Sequence, residues 1–562
     1  MAMSSGIVIE VRTTATANNV NGGGFKTGAS GTDFSQQDAA QYALTGITSA
    51  GAGNTILHAS AAADMVGNVI HVISGTNLTA SWFEITSVVA GVSITCSTNK
   101  AGTAISVGVG ADGVANIGGA LSLGHSSDAT ALGEFSTGST FYIKSGTYTL
   151  GAAISGLTSG TSALPNRYIG YTATRGDSPT VAANMPLLDS GANDFTYPAA
   201  VVVSGISHTT TSANGVLTNA GCVFFNCKFA NTSTTASRYA VNTSTSQCAF
   251  YRCEMISYRG RAIGCLGDLT NIANCYIHHS NEGVYITSGN SIGATIIGCI
   301  FEGIVSIAIR FTATNLNADL IMGNTFYGST SDLGIGIQTT SNARAKVFIN
   351  NIFYGMTTGF FSSGGTVELH KDDNNCFFSC GTNSSGYTLT GTVVTTDPTF
   401  TGVGELTGTA GVVAGSVLTV ASATGIVPLQ DYVYIISGTG ATAGVYRINS
   451  NVGTALTLDI APGGSGTDIV YRIITGHNYA VGSNMQALGA PGIFPASVAA
   501  TTTSYLDIGA VQRKERASTD PGTANVKSGT AYTINDTALE GTLVSGGGGM
   551  SSGNGLGNPR IG

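Results

Sequence analysis

Apolar and polar positions repeat in a fixed phase seven times between Phe224 and Phe378. The phrases FFNCKF, FYRCEM, IANCYI, IIGCIF, IMGNTF, FINNIF and DNNCFF put Cys227, Cys253, Cys275, Cys299, Asn324, Asn351 and Cys376 at their fourth position, at steps of 26, 22, 24, 25, 27 and 25 residues. In FYRCEM, Phe250, Cys253 and Met255 are apolar while Arg252 and Glu254 are polar, the period-2 pattern of a strand with one buried face. A second short strand follows in each repeat, GRAIGCL at 260–266, EGVYITS at 282–288, SIAIRF at 306–311 and GIGIQTT at 334–340. Gly and Asn stand at the corners, where the backbone turns with positive φ. A repeat of this length cannot bury its own apolar face and stacks on copies of itself. Two or three strands per coil, with no helix between them, predict an all-β chain built on a right-handed parallel β-helix. About 300 residues at about 25 per coil give about twelve coils, or about 58 Å at the strand spacing.

Equivalent positions in neighbouring coils lie about 4.8 Å apart. Cys227, Cys253, Cys275 and Cys299 therefore form an inward column, and Cys222 and Cys248 a second one five residues earlier. Free Cys is a small, well-buried hydrophobe, so the expectation is a reduced ladder rather than a disulfide framework. No CxxC or HxxxH spacing supports a metal site. Asn324 and Asn351 continue the column as stacked amides.

Two further segments resemble each other. Residues 72–103 and 435–467 share Ser74-Gly75-Thr76 with Ser437-Gly438-Thr439, Thr79-Ala80 with Thr442-Ala443, and Phe83 and Ile85 with Tyr446 and Ile448. They predict two copies of a small β module, at 51–125 and 405–475, the second inserted late in the solenoid. The full expected division is a β-rich segment at 1–50, the first module, the β-helix at 138–400, the second module, a closing segment at 477–515 and a flexible tail with a short hairpin at 516–562. The modules are either duplicated surface domains or surfaces that dock on each other or on a neighbouring subunit.

Composition narrows the reading. Charged residues make up 9% of the 562, against 79 glycines and 42% hydrophobic residues, which disfavours amphipathic helices and favours short strands with frequent turns. The 21 Tyr and 21 Phe supply enough apolar area for a core. The net charge of −8 is spread thinly, with no basic run, which argues against nucleic acid as a partner. No apolar run reaches the length of a membrane span. The start MAMSSGIVIEVRTT has no basic segment leading into an apolar stretch, so no secretory signal is read. No cofactor is expected.

The pair YIKSGTYTL and RYIGY, at 142–150 and 167–171, resembles the opening coil of pectate-lyase-like and chondroitinase-like β-helix proteins. Asp397-Pro398-Thr399-Phe400, His477-Asn478-Tyr479 and 505–510 (YLDIGA) resemble their closing segments, and the tail resembles terminal segments of bacteriophage virion proteins. The resemblance implies a virion protein such as a tail spike, fibre or capsid-surface protein, assembled in the host cytoplasm as a homo-oligomer, a trimer by default. Its implied partners are other virion proteins and host surface polysaccharide. It also implies, as an alternative, cleavage of acidic polysaccharide by a lyase or glycosidase. A bacterial surface adhesin or filament subunit is the third reading.

Ionisable residues are rare enough that clusters stand out. Tyr258, Arg259, Arg261, His278, His279, Glu282, Glu302 and Arg310 fall on neighbouring coils, and His278 and Glu302 share one phase. They are expected on an outer corner of the rod, as a solvated polar corner or a glycan contact without catalysis. If the chain were an enzyme, Arg259 or Arg261 would bind an anion and His278 or His279 would act as base, near Glu302. Lys228 and Glu254 are expected as an outward cross-strand pair. His370 to Asn375 reads as a turn, with Ca²⁺ ligation as the competing idea.

Overall fold

The computed structural model describes residues 2–123, 128–180, 182–243, 247–267, 269–287, 293–312, 319–328, 333–340, 343–364, 367–400, 402–479, 481, 509–510, 531–534 and 537–540. Three sheets of twelve, eleven and nine strands run side by side, and strands of successive coils pair in parallel within each sheet. The chain is a parallel β-helix with three strands per coil. The third sheet closes nine turns rather than twelve.

The repeated phrase spans a corner between two sheets, not one strand. Ala249–Tyr251 lies in the first sheet and Glu254–Ser257 in the second. The third phrase position takes the left-handed conformation that such a corner requires. It is occupied by Asn226, Asn274 and Asn350 at φ of 49°, 53° and 58°, by Gly298 and Gly323 at 63° and 61°, and once by Arg252 at 53°; in the seventh phrase the corner falls one position earlier, at Asn374 with φ 48°. Asn and Gly bear this conformation at the lowest cost.

Cys227, Cys253, Cys275 and Cys299 are buried inside the rod, and all ten cysteines are free. The column continues through amides. Cys299 N–H donates to Asn324 Oδ1 at 2.8 Å, and the N–H and Nδ2 of Asn324 both donate to Asn351 Oδ1 at 3.0 Å. Asn351 in turn donates to Asn375 Oδ1 from N and Nδ2 at 3.1 and 2.9 Å. Asn375, not Cys376, is therefore the seventh rung. Cys376 pairs with Ile352, one residue along, and packs with Ile352 and Val481 in a separate apolar cluster. An amide satisfies the backbone N–H of the preceding coil, which is why the register places Asn375 in the column.

The rod starts earlier than residue 138. Ile7–Val11 pairs in parallel with Thr140–Lys144 and forms the first rung. Both small modules are closed six-stranded barrels with the same strand order, at Tyr42–Ile117 and Gly402–Asn478. The first therefore interrupts the chain between the first two rungs and begins nine residues before position 51. Both dock on the rod through matching positions, 363 residues apart. Val69 and Trp82 join the rod's core, with His71 stacked on Trp82 at 3.7 Å. Tyr432 and Val445 pack on Ala230, Ile256 and Tyr258 of the rod.

Of the closing segment, residues 477–479, 481, 509 and 510 are described; Gly509 N–H donates to Asn350 O at 2.8 Å and Ala510 N–H to Thr325 Oγ1 at 2.9 Å. Residues 505–508 lie outside the described residues. Ala531–Ile534 and Thr537–Glu540 form an antiparallel hairpin within a unit of its own at 512–562. The flexible-tail reading of the remaining residues of that segment lies outside the described ones. No helix among the described residues is long and apolar enough to cross a membrane.

Candidate functional site

The eight residues singled out from the sequence separate onto two faces. His278 and Glu302 are register partners on the second sheet, as their phase predicts. That corner is not solvated. Glu302 is 0% exposed, and His278 and His279 are each 2% exposed, because the C-terminal barrel covers them. His477, at the end of the barrel's last strand, donates from Nδ1 to Glu302 Oε2 at 2.8 Å and from Nε2 to Asp431 Oδ1 at 2.9 Å. The Tyr479 hydroxyl donates to the same Glu302 oxygen at 2.5 Å. Tyr432 stacks on His279 at 4.5 Å, and Tyr276 stacks on His278 at 4.1 Å.

These groups form one chain of ionisable side chains. Lys228 Nζ donates to Glu254 Oε1 at 2.6 Å, on the outward column expected for that pair. His278 Nε2 donates to the same oxygen at 3.1 Å, and His278 Nδ1 lies 2.9 Å from His279 Nδ1. His279 Nε2 faces Glu302 Oε1 at 3.6 Å, an oxygen with no hydrogen-bond partner. Burial pushes His279 down to about 3, so its ring is neutral at neutral pH. Burial also opposes the charge on His477, but hydrogen bonds to Asp431 and Glu302 win and lift it to about 10. Glu302 is held at about 2 against burial by His477 and the neighbouring imidazoles. Glu254 is likewise held at about 2 against burial by His278 and Lys228. The result is a half-buried imidazolium clamped between two buried carboxylates, and a saccharide has no access to Glu302 while the barrel is seated. Tyr258 lies in the same contact and is buried, and Arg259 at its edge donates from Nη2 to the barrel's Tyr446 hydroxyl at 2.7 Å.

The other three residues lie on the third sheet, on the outside of the rod. Glu282 accepts from Arg261 Nε at 2.7 Å and from Arg310 Nη1 at 2.6 Å. Arg261 sits over the Tyr285 ring at 3.7 Å and over Tyr239 at 5.4 Å, and Arg310 lies 5.7 Å from Tyr285. Arg261 and Arg310 are 18% and 30% exposed at the side chain. This column of two tyrosines, two guanidinium groups and one carboxylate carries a net positive charge on a half-open face. It combines flat apolar rings with charged donors, the chemistry that grips sugar rings and anionic substituents.

Lys371 to Asp373 end a strand, not a turn. Asp372 accepts from Thr390 Oγ1 and Gly391 N–H at 2.6 and 3.0 Å, so its oxygens hold a neighbouring loop. The His370 side chain lies outside the described residues. Asp431, Tyr432 and Tyr479 were not singled out as site residues from the sequence. Of the three, Asp431 alone carried a signal, as one of the few charged residues of the module that returns the chain to the rod.

No protein-family model matches the chain, and no curated protein matches it. Among solved structures, the chain is similar to the tailspike protein of E. coli bacteriophage HK620 in complex with pentasaccharide, at 13% identity over 60% of this chain and 87% of that one, with a TM-score of 0.25. A variant of the same tailspike in complex with hexasaccharide gives 12% identity, 60% and 81% coverage and a TM-score of 0.27. The PL6 family alginate lyase AlyGC gives 11% identity over 49% of this chain and 52% of that one, with a TM-score of 0.30. At these scores the similarity assigns neither a ligand nor a reaction to this chain.

Proposed function

We propose that the chain is a non-enzymatic structural or adhesive protein of a bacteriophage particle, a tail spike, fibre or capsid-surface protein, that presents a rigid β-helix to host surface glycans. The observation that carries this reading is the burial of His278, His279 and Glu302 beneath the C-terminal barrel. The side chains that could have served as acid and base are spent on holding a module, and a glycan meets the third-sheet column instead. The chemistry of Tyr239, Arg261, Tyr285 and Arg310 suits retention of a saccharide. The test is a binding titration against capsular and other acidic polysaccharides, together with a search for unsaturated product by ultraviolet absorbance. Binding without product, weakened in Arg310→Ala and Tyr285→Ala, supports the reading. Product formation overturns it in favour of a polysaccharide lyase, the second reading, which the placement of Tyr285 between two guanidinium groups beside Glu282 favours.

A further inference from the structure

An outer column of the third sheet runs from Asn242 through Gly264, Tyr285, Arg310 and Gln338 to Phe361, one residue per coil. Three of its polar atoms are buried with no hydrogen-bond partner: Asn242 Oδ1, Arg310 Nε and Gln338 Oε1. Such atoms lower stability, and native folds keep few of them. Here three share one face of one sheet. Arg310 and Gln338 are register partners, so a donor and an acceptor stand unmet on strands about 4.8 Å apart. Asn242 is 5% exposed, and its Oδ1 lies 3.1 Å from the point where a side chain at Gly264 would begin. The Tyr239 ring lies over that glycine, 2.6 Å from the same point, and Arg261 Nη1 donates to the Tyr239 hydroxyl at 2.9 Å.

We infer that Asn242 and Gln338 are specificity-determining residues that read unsubstituted hydroxyls of a saccharide, with Arg310 as the matching donor. This rests on the reading that the third-sheet column meets a glycan, and it adds what the column selects. The charges of the column meet one another, since Glu282 accepts from both Arg261 and Arg310. The atoms left without partners are one N–H donor and two carbonyl acceptors. A carboxylate or sulfate cannot serve the acceptors, because it has no hydrogen to donate. A hydroxyl serves both kinds: its oxygen accepts from Arg310 Nε and its hydrogen goes to Gln338 Oε1. The same ring turns an apolar face to Tyr285 and Phe361, both half-buried. An O-acetyl ester at that oxygen removes the hydrogen, so the acetylated sugar is rejected. At the other end Tyr239 is a movable cover. Gly264 lets its ring lie close to the strand, and the ring swings off Asn242 when a sugar enters.

The test uses the full chain and a capsular polysaccharide that binds in the titration above, native and O-acetylated with acetic anhydride. Acetylation should weaken binding to the wild type about tenfold or more, the effect of an acceptor left unpaired. Alkaline removal of the esters should restore it. Gln338→Met and Asn242→Leu should each bind the native polysaccharide about tenfold more weakly and discriminate less between the two forms. Both should melt at the wild-type temperature or above it, because each removes an unpaired polar atom. Weaker binding in a protein that is no less stable marks a side chain kept for a ligand. High salt should leave the affinity nearly unchanged. The inference is overturned if acetylation has no effect, if the two variants bind and discriminate like the wild type, if they melt lower, or if high salt abolishes binding. In those cases the glycan reading stands, because the wild type still binds. If the wild type binds no polysaccharide, or if Arg310→Ala and Tyr285→Ala bind as it does, the glycan reading fails and takes this inference with it.

Discussion

Glu302 of the rod and His477 of the C-terminal barrel meet at 2.8 Å across 175 residues of chain, and Asp431 holds the other ring nitrogen of the same imidazole at 2.9 Å. The three groups tie an inserted module to the solenoid through charge, beside an apolar contact made by Tyr258, Tyr432 and Val445.

Removing the imidazole strands two carboxylates in a buried contact. His477→Ala should cost about 3–5 kcal/mol of stability, the range for breaking one partner of a buried ion pair. Urea unfolding checks it. Adding Glu302→Gln and Asp431→Asn to His477→Ala should recover part of the loss, because the uncompensated charge disappears with them.

The same groups set a pH optimum. His477 titrates at about 10 in the fold and at 6.5 unperturbed, so its contribution is full below pH 6.5 and is lost as pH rises through about 10. Glu302 titrates at about 2 against an unperturbed 4.5, so its contribution is full above pH 4.5 and is lost as pH falls towards 2. His279 and His208, pushed down by burial to about 3 from 6.5, also penalise the fold below pH 6.5, because only the unfolded chain takes up their protons there. Stability should peak near pH 6.5 and fall on both sides. In His477→Gln the decline between pH 6.5 and 10 should flatten, while the His279 and His208 share of the acid decline persists, as melting temperatures across pH would show.

The coil was legible because its signal is local. Cys253, Cys275 and Cys299 recur at near-constant steps, and each phrase carries its own alternation. The corner inside the phrase was legible in principle too, since Asn or Gly fills its third position in six of seven cases. In the seventh phrase two asparagines stand side by side and the rule does not choose between them; the corner is Asn374 and the ladder residue Asn375, one residue before the position that alignment on cysteine selects. The covered site was not legible, because His278 and Glu302 show their phase on the rod but nothing local reports a module that returns from residue 431 to cover them. The start of the rod was missed for a similar reason, since Ile7–Val11 joins the first sheet only across the inserted first barrel.

The corrected register has a mutational signature. Asn375→Ala removes the acceptor of two Asn351 donors, at about 1–3 kcal/mol for each buried group left unpaired. Cys376→Ala removes a thiol from an apolar cluster and should cost less. Equal losses, or a larger loss at Cys376, in paired denaturation curves would return the ladder to Cys376.

Arg252 holds a corner at φ 53° that Asn and Gly hold in the other coils. A side chain without Asn's local hydrogen bonding bears the left-handed conformation at about 1–2 kcal/mol. Arg252→Asn should raise the melting temperature, with a gain of up to about 1 kcal/mol. Arg252→Val should lower it, since a β-branched residue tolerates positive φ worst.

The ladder itself predicts a thiol count. A thiolate must form before a cysteine reacts, and burial in apolar surroundings opposes it. Burial pushes the Cys253 and Cys299 thiols well up. Cys380 is half-buried, while the other nine are buried. Native protein treated with Ellman's reagent should therefore release colour for about one thiol, and denatured protein for ten. Rapid native labelling of Cys253, Cys275 or Cys299, mapped by mass spectrometry, would mean that the column is open to solvent. The stacked coils that enclose it would then not describe the molecule in solution.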